Sequence, residues 1–151
     1  VDFKGGGAFA GLRDLPHTLG LVTDLGGNLA ERALVALGAE LDRRKRLFSA
    51  AGVNDIAAYQ RLVWQGRADE PLPRLVVIVD EFAELVGDVP DFVDGLIGVA
   101  RVGRSLGLHL ILATQSPAGV VSQQIWANAR FRICLRVEAR QESVEMLHRA
   151  G

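Results

Sequence analysis

Apolar residues along this chain fall into short unbroken runs and longer helical stripes. The densest run is Leu75–Val79, five consecutive apolar residues of which four are β-branched, ended by Asp80 and Glu81. A strand with no polar face belongs in the middle of a parallel sheet covered on both sides by helices. His109-Leu-Ile-Leu-Ala-Thr-Gln115 is a second such run, again closed by polar residues. Shorter strands are predicted at Val1-Asp2-Phe3, at Leu19–Thr23 and at Phe131–Val137, the last containing Cys134. Between the runs the period lengthens. Asn28 and Glu31 form a capping box for a helix that buries Leu34, Leu37, Leu41 and Phe48 and stops near Gly52. Asn54 caps a second helix whose Tyr59 and Trp64 are assigned to the core, and Gly66–Pro73 is a polar connection. Pro90-Asp91 opens a helix through Phe92, Leu96, Val99 and Val102 that closes at Gly107. A short helix around Ile125–Asn128 and a last one carrying Val144 and Leu147 follow. Strands alternating with helices predict right-handed crossovers and one α/β domain over residues 1–151.

Ligands of open α/β sheets collect beyond the carboxyl ends of the strands, which places Asp80 and Glu81 where chemistry is expected. An apolar strand ending in two acids has the pattern of a Walker B element. Asp80 then holds Mg²⁺ through a bound water and Glu81 polarises the water that attacks a nucleotide γ-phosphate. The competing reading is a buried strand that stops at two solvated acids. Gln115, at the same end of the next strand, is placed to sense the γ-phosphate or steady the water, whereas His109 lies at the wrong end of its strand. Lys4-Gly5-Gly6-Gly7 does not make a phosphate loop, because that motif needs lysine after the glycines and a following Ser or Thr. Arg43-Arg44-Lys45-Arg46 is read as a solvated helix face.

Composition narrows the field. In 151 residues, 49% apolar and 23% charged are ordinary for one globular domain. A net charge of −1 gives no overall electrostatic footprint for nucleic acid or an anionic membrane. The single cysteine excludes an internal disulfide and a cysteine metal cluster, and fits a reducing compartment. No apolar run approaches the ~18 residues of a membrane-spanning helix, and no basic-then-apolar leader is present. The chain opens on a strand without an initiating methionine, so it is expected to be part of a longer polypeptide.

Taken in order, Val-Asp-Phe-Lys-Gly-Gly (1–6), Leu-Pro-His (15–17), Val-Thr-Asp-Leu (22–25), Ala-Glu-Leu-Asp-Arg-Arg (39–44), Val-Asp-Glu-Phe-Ala-Glu-Leu (79–85), Gly-Arg-Ser-Leu-Gly-Leu-His-Leu (103–110), Ala-Thr-Gln (113–115) and Ile-Trp-Ala-Asn-Ala-Arg-Phe (125–131) span nearly the whole chain. In these the sequence resembles the FtsK/SpoIIIE family of RecA-like motor ATPases, and within it the EccC/EssC branch of type VII secretion. The resemblance implies a three-layer RecA-like P-loop fold with a mostly parallel sheet. That fold is incomplete here: the Walker A segment belongs upstream of Val1 and its strand between those at 109–114 and 131–137. ATP and Mg²⁺ are the implied ligands, with Asp80 and Thr114 contacting them, Glu81 and Gln115 catalytic, and the chain alone a poor ATPase.

The resemblance also implies that ATP sits between neighbouring ATPase domains or subunits of an oligomer, one of which supplies an arginine finger. Arg32 occupies the matching position, with Arg101 and Arg104 as competitors. Its implied work is ATP-driven export of proteins bearing secretion signals, at the cytoplasmic face of a membrane reached only through segments outside this chain. Two alternatives stand beside it: translocation of duplex DNA, and a degenerate module that binds or regulates without hydrolysis. Asp-Phe-Lys-Gly-Gly (2–6) and Ile125–Phe131 lean toward secretion, and Glu81 argues against a module freed from hydrolysis.

Overall fold

A computed structural model describes residues 1–2, 7, 9–23, 29–115, 121–129, 131–137 and 140–147. In it the densest apolar run becomes β1 (Leu75–Val79), hydrogen-bonded in parallel to β2 (Leu108–Leu112) with Leu75 opposite Leu108 and Val79 opposite Leu112. Around this pair stand α1 (Leu29–Ala51), α2 (Ile56–Trp64), α3 (Phe82–Asp88), α4 (Pro90–Leu106), α5 (Gln123–Asn128) and α6 (Arg140–Leu147). A single 3₁₀ turn at Ala10–Leu12 precedes them.

Residue period decides which sheet face is covered. Leu75, Val77 and Val79 lie opposite Leu108, Leu110 and Leu112, so these six share one face. That face meets two adjoining clusters, one built on Phe82, Leu85, Phe92, Val93 and Leu96, the other on Leu41, Phe48, Ile56, Tyr59 and Leu106. Leu34, Leu37 and Leu110 flank both and join them into one core. On the opposite face Val76 is 50% and Ile111 51% exposed. The two-sided coverage expected of β1 is therefore met on one face by the described residues.

Among the helices, α1 and α4 follow their predicted stripes most closely. Leu41 and Phe48 of α1 are buried, with Leu34 and Leu37 half-buried. The helix ends where glycine was expected: Gly52 has φ +66°, and Val53 donates its N–H to Phe48 O at 3.0 Å. Helix α4 buries Phe92, Val93, Leu96, Val99, Gly103 and Leu106, whereas Val102 faces outward at 39% exposure.

Several expectations need correction. Asp55, one residue after Asn54, caps α2 and accepts from the Ala58 N–H at 2.8 Å. Tyr59 is core and stacks on Phe48 at 5.3 Å between ring centroids, but Trp64 is 85% exposed. Five residues past Tyr59 at ~100° each put Trp64 about 140° around the helix, away from the core. The basic run at 43–46 is not wholly solvated. Arg44 is buried, its Nε donating to Glu40 at 2.7 Å and its Nη1 to Leu106 O at 2.8 Å, where it satisfies a carbonyl in the last turn of α4. Arg43 bonds both Glu40 and Glu70. Arg43, against some desolvation and with help from Arg44, holds the Glu40 carboxyl below its ordinary pKa.

The three short strands are not ladders. Val1 and Asp2 run beside the end of β1 through a parallel bridge between Asp2 and Asp80, and Phe3 lies outside the described residues. Residues 18–23 belong to no strand and touch this edge where the Asp2 N–H donates to Val22 O at 2.9 Å. Phe131–Val137, including Cys134, belongs to no strand, with Phe131 95%, Ile133 77% and Leu135 81% exposed. Strand propensity without a neighbouring strand to pair with leaves the backbone groups to other partners. The capping residue Asn28, together with Lys4, Gly5 and Gly6, lies outside the described residues.

Gly107 closes α4 with φ +80°, and a Cβ there would come 2.8 Å from Ile56 Cγ1 and 3.1 Å from Arg44 Nη1. Gly107→Ala is expected to lower stability by about 2 kcal/mol, left-handed strain plus this clash. Gly98, exposed in mid-helix with no atom within 4 Å of its built Cβ, provides the contrast. Gly98→Ala should raise stability by about 0.5–1 kcal/mol. Unfolding midpoints that shift in opposite directions check both.

Candidate active site

The parallel ladder carries the chain straight into the candidate site. Beyond the last β1–β2 pair, Ala113 donates its N–H to Val79 O at 2.9 Å and the Phe82 N–H donates to Ala113 O at 2.8 Å. On the other side the Asp80 N–H donates to Val1 O at 2.9 Å. The backbone is thus fixed at residues 79, 80 and 82, and Phe82 is anchored further by a side chain only 1% exposed. Glu81 absorbs the turn between them. It is the non-glycine residue with positive φ among those described, at φ 46° and ψ 58°. Such a conformation costs on the order of 1–2 kcal/mol and persists where the flanking structure over-determines it.

That turn aims the Glu81 side chain at the exit of β2. Glu81 is 7% exposed, and its Oε1 accepts from Thr114 Oγ1 at 2.9 Å and from the Gln115 N–H at 3.3 Å. Although Glu81 stands at the N-cap of α3, its side chain makes no capping bond there. A buried carboxylate is tolerated when donors replace water, and here the donors come from the neighbouring strand end. Asp80 is half-buried, and its Oδ1 accepts from the Glu81 N–H at 3.1 Å.

Asp80, Glu81, Thr114 and Gln115 are therefore gathered at the carboxyl edge of the sheet, on two adjacent parallel strands, as the residue pattern required. Gln115 enters this cluster through its backbone N–H, with its side chain exposed. Arg32 is exposed on α1, two residues beyond Ala30, which is buried in the same cluster as Phe82. Arg101 and Arg104 are exposed on α4. His109 stays at the opposite end of β2, with Nε2 3.4 Å from Arg74 Nη1.

Two features escaped the sequence reading. Asp2, at 2% exposure, is paired with Asp80 across the parallel bridge, and nothing in its immediate sequence signals this. Helix α3, starting directly after Glu81, was hidden by its seven-residue length.

The donor set bears on a metal ion. Among the described residues no group of three or more His, Cys, Asp and Glu is arranged to hold one. A single carboxylate at the strand end fits Mg²⁺, which retains several waters and takes few protein ligands, and does not fit an all-protein cage.

The FtsK/SpoIIIE family model matches residues 1–119. The chain is 51% identical over 147 residues to the type VII secretion system protein EssC of Staphylococcus aureus (strain NCTC 8325 / PS 47), covering 97% of this chain and 10% of that protein. It is 50% identical over 149 residues to the ESX secretion system protein EccC of Geobacillus thermodenitrificans (strain NG80-2), with the same two coverages. It thus spans about a tenth of the length of these relatives. Among solved structures it matches the cytoplasmic domain of the Thermomonospora curvata type VII secretion ATPase EccC at TM-score 0.87 and 34% identity, over 97% of this chain and 18% of that one. It also matches T. curvata EccC (ATPases 2 and 3) in complex with a signal sequence peptide at TM-score 0.72 and 26% identity, over 83% of this chain and 22% of that one. The monomer form of the pCW3 conjugation coupling protein TcpA with ATPγS matches at TM-score 0.76 and 27% identity, over 97% of this chain and 42% of that one. Its mixed α/β fold with a short parallel sheet is that of the EccC ATPase domains, and the chain belongs to the FtsK/SpoIIIE family.

Proposed function

We propose that residues 1–151 form the part of an ATP-hydrolysing motor domain that runs from the strand after Walker A through Walker B and the sensor strand, and that the motor powers protein export in type VII secretion. The observation that carries this reading is the buried Glu81 carboxylate, turned by a strained backbone onto the end of β2 beside Asp80. A carboxylate held at that edge is placed to orient a water molecule and take its proton. Asp80 is the residue that would hold Mg²⁺ through water, and the bound ion would neutralise charge developing on the phosphates. Gln115 stands where the γ-phosphate and the attacking water are read. The phosphate cradle itself comes from a Walker A segment outside these residues.

Identity near 50% to EssC and EccC supports secretion as the setting. The signal-peptide complex of a similar protein supports exported proteins with secretion signals as partners, and its paired ATPases support a neighbouring ATPase domain or subunit as the source of an arginine finger. In this reading Arg32 is that finger, reaching the neighbour's nucleotide. Among the described residues no helix is long and apolar enough to cross a membrane, so attachment at the cytoplasmic face would come through other segments. Likeness to a conjugation coupling protein favours one second reading, DNA as the cargo, which salt-dependent duplex binding would reveal.

Glu81→Gln in the full-length protein is expected to bind ATP normally and to lose hydrolysis by about 10²-fold or more, the scale for removing a general base. Near-normal turnover would overturn the assignment. Asp80→Asn should instead weaken nucleotide binding in the presence of Mg²⁺ while leaving the Mg²⁺-free affinity unchanged, a difference that titration with and without the ion resolves. Arg32→Ala should abolish activity alone yet recover part of it when mixed with Glu81→Gln subunits, since each partner then supplies what the other lacks; absence of any complementation would assign Arg32 a local role.

A further inference from the structure

We infer that Thr114 is a positioning residue for Glu81, not a nucleotide contact. This inference rests on the reading of Glu81 as the base. Both donors from the exit of β2, Thr114 Oγ1 at 2.9 Å and the Gln115 N–H at 3.3 Å, converge on the same oxygen, Oε1. Two donors from one strand end hold the carboxylate in place beside the exit of β2. The need for such an anchor follows from the backbone. Glu81 leaves the chain at φ 46°, where an L side chain starts from an unusual direction, and no cap bond to α3 holds it. The hydroxyl makes the shorter of the two bonds, and a hydroxyl donating to an ionised carboxylate is the stronger class of hydrogen bond.

The step it supports is hydrolysis of the terminal phosphoanhydride. The water oxygen forms a bond to the γ-phosphorus, and the bond from that phosphorus to the β,γ-bridging oxygen breaks. The bridging oxygen leaves with ADP, and the water proton passes to the Glu81 carboxylate, which later returns it to phosphate or solvent. Thr114 moves no proton and touches no reacting atom; it keeps the carboxylate in reach.

Three variants of the full-length protein test this. Thr114→Val preserves side-chain shape and removes the donor. It should lower kcat about 10-fold while nucleotide Kd stays unchanged, the fold-change set by losing one hydrogen bond to a charged group. Thr114→Ser restores the hydroxyl and should recover most of kcat. In a Glu81→Gln background Thr114→Val should have no further effect, because the anchored carboxylate is already gone. A weaker Kd with kcat unchanged would make Thr114 a nucleotide contact and overturn the inference, as would an undiminished loss in the Glu81→Gln background or no rescue by serine. If Glu81→Gln itself turns over normally, the base assignment fails; if it is inactive and Thr114→Val is fully active, only the positioning role fails.

Discussion

The carboxyl-end pairing of β1 with β2 is the constraint on which the site depends. Each residue of β1 from Leu75 to Val79 is in register with one of β2, and the bonds at Ala113 continue that register past the last pair. By donating to Ala113 O while its ring is buried, Phe82 ties the start of α3 to the neighbouring strand. Glu81 is caught between two fixed points and takes the left-handed conformation, and its carboxylate is delivered to Thr114. Backbone geometry and side-chain chemistry are linked here through one residue. The site is built from regular secondary structure up to its final residue, which is how a fold fixes a side chain to within a fraction of an ångström.

Much of this was legible in the chain, and the reasons differ from element to element. An unbroken apolar run ending in two acids announces both a buried strand and the polar edge where it stops, so β1 and the placement of Asp80 and Glu81 could be read directly. The α4 stripe was similarly explicit, with proline at its start and glycine past its end. Cooperation between distant residues was not legible. Nothing local to residues 43–46 distinguishes Arg44 from its neighbours; it is buried because α1 passes the end of α4 at Leu106, 62 residues later. Trp64 misleads in the other direction, since aromatic character says core while its angular position on α2 says surface. The bond between Thr114 and Glu81 joins residues 33 apart and exists only once two strands are laid side by side.

Residues 131–137 show the limit of propensity. Their alternation is that of a strand, but a strand is a relation between two segments, and among the described residues this one has no partner strand. Phe131, Ile133 and Leu135 are consequently presented to solvent. The apolar face of the sheet carrying Val76 and Ile111 is likewise half open. Both belong to a chain that spans about a tenth of the length of these relatives.

The connection from β1 to β2 is pinned at each end, by Phe82 on Ala113 O as it departs and by Gly107 O accepting from the Leu75 N–H as it returns. Its length therefore behaves like a reading frame. One residue added to β2 beyond Gly107 would swap every inward side chain of that strand for an outward one, exchanging Leu110 for His109 or Ile111 against the core and turning Thr114 from the acid it serves.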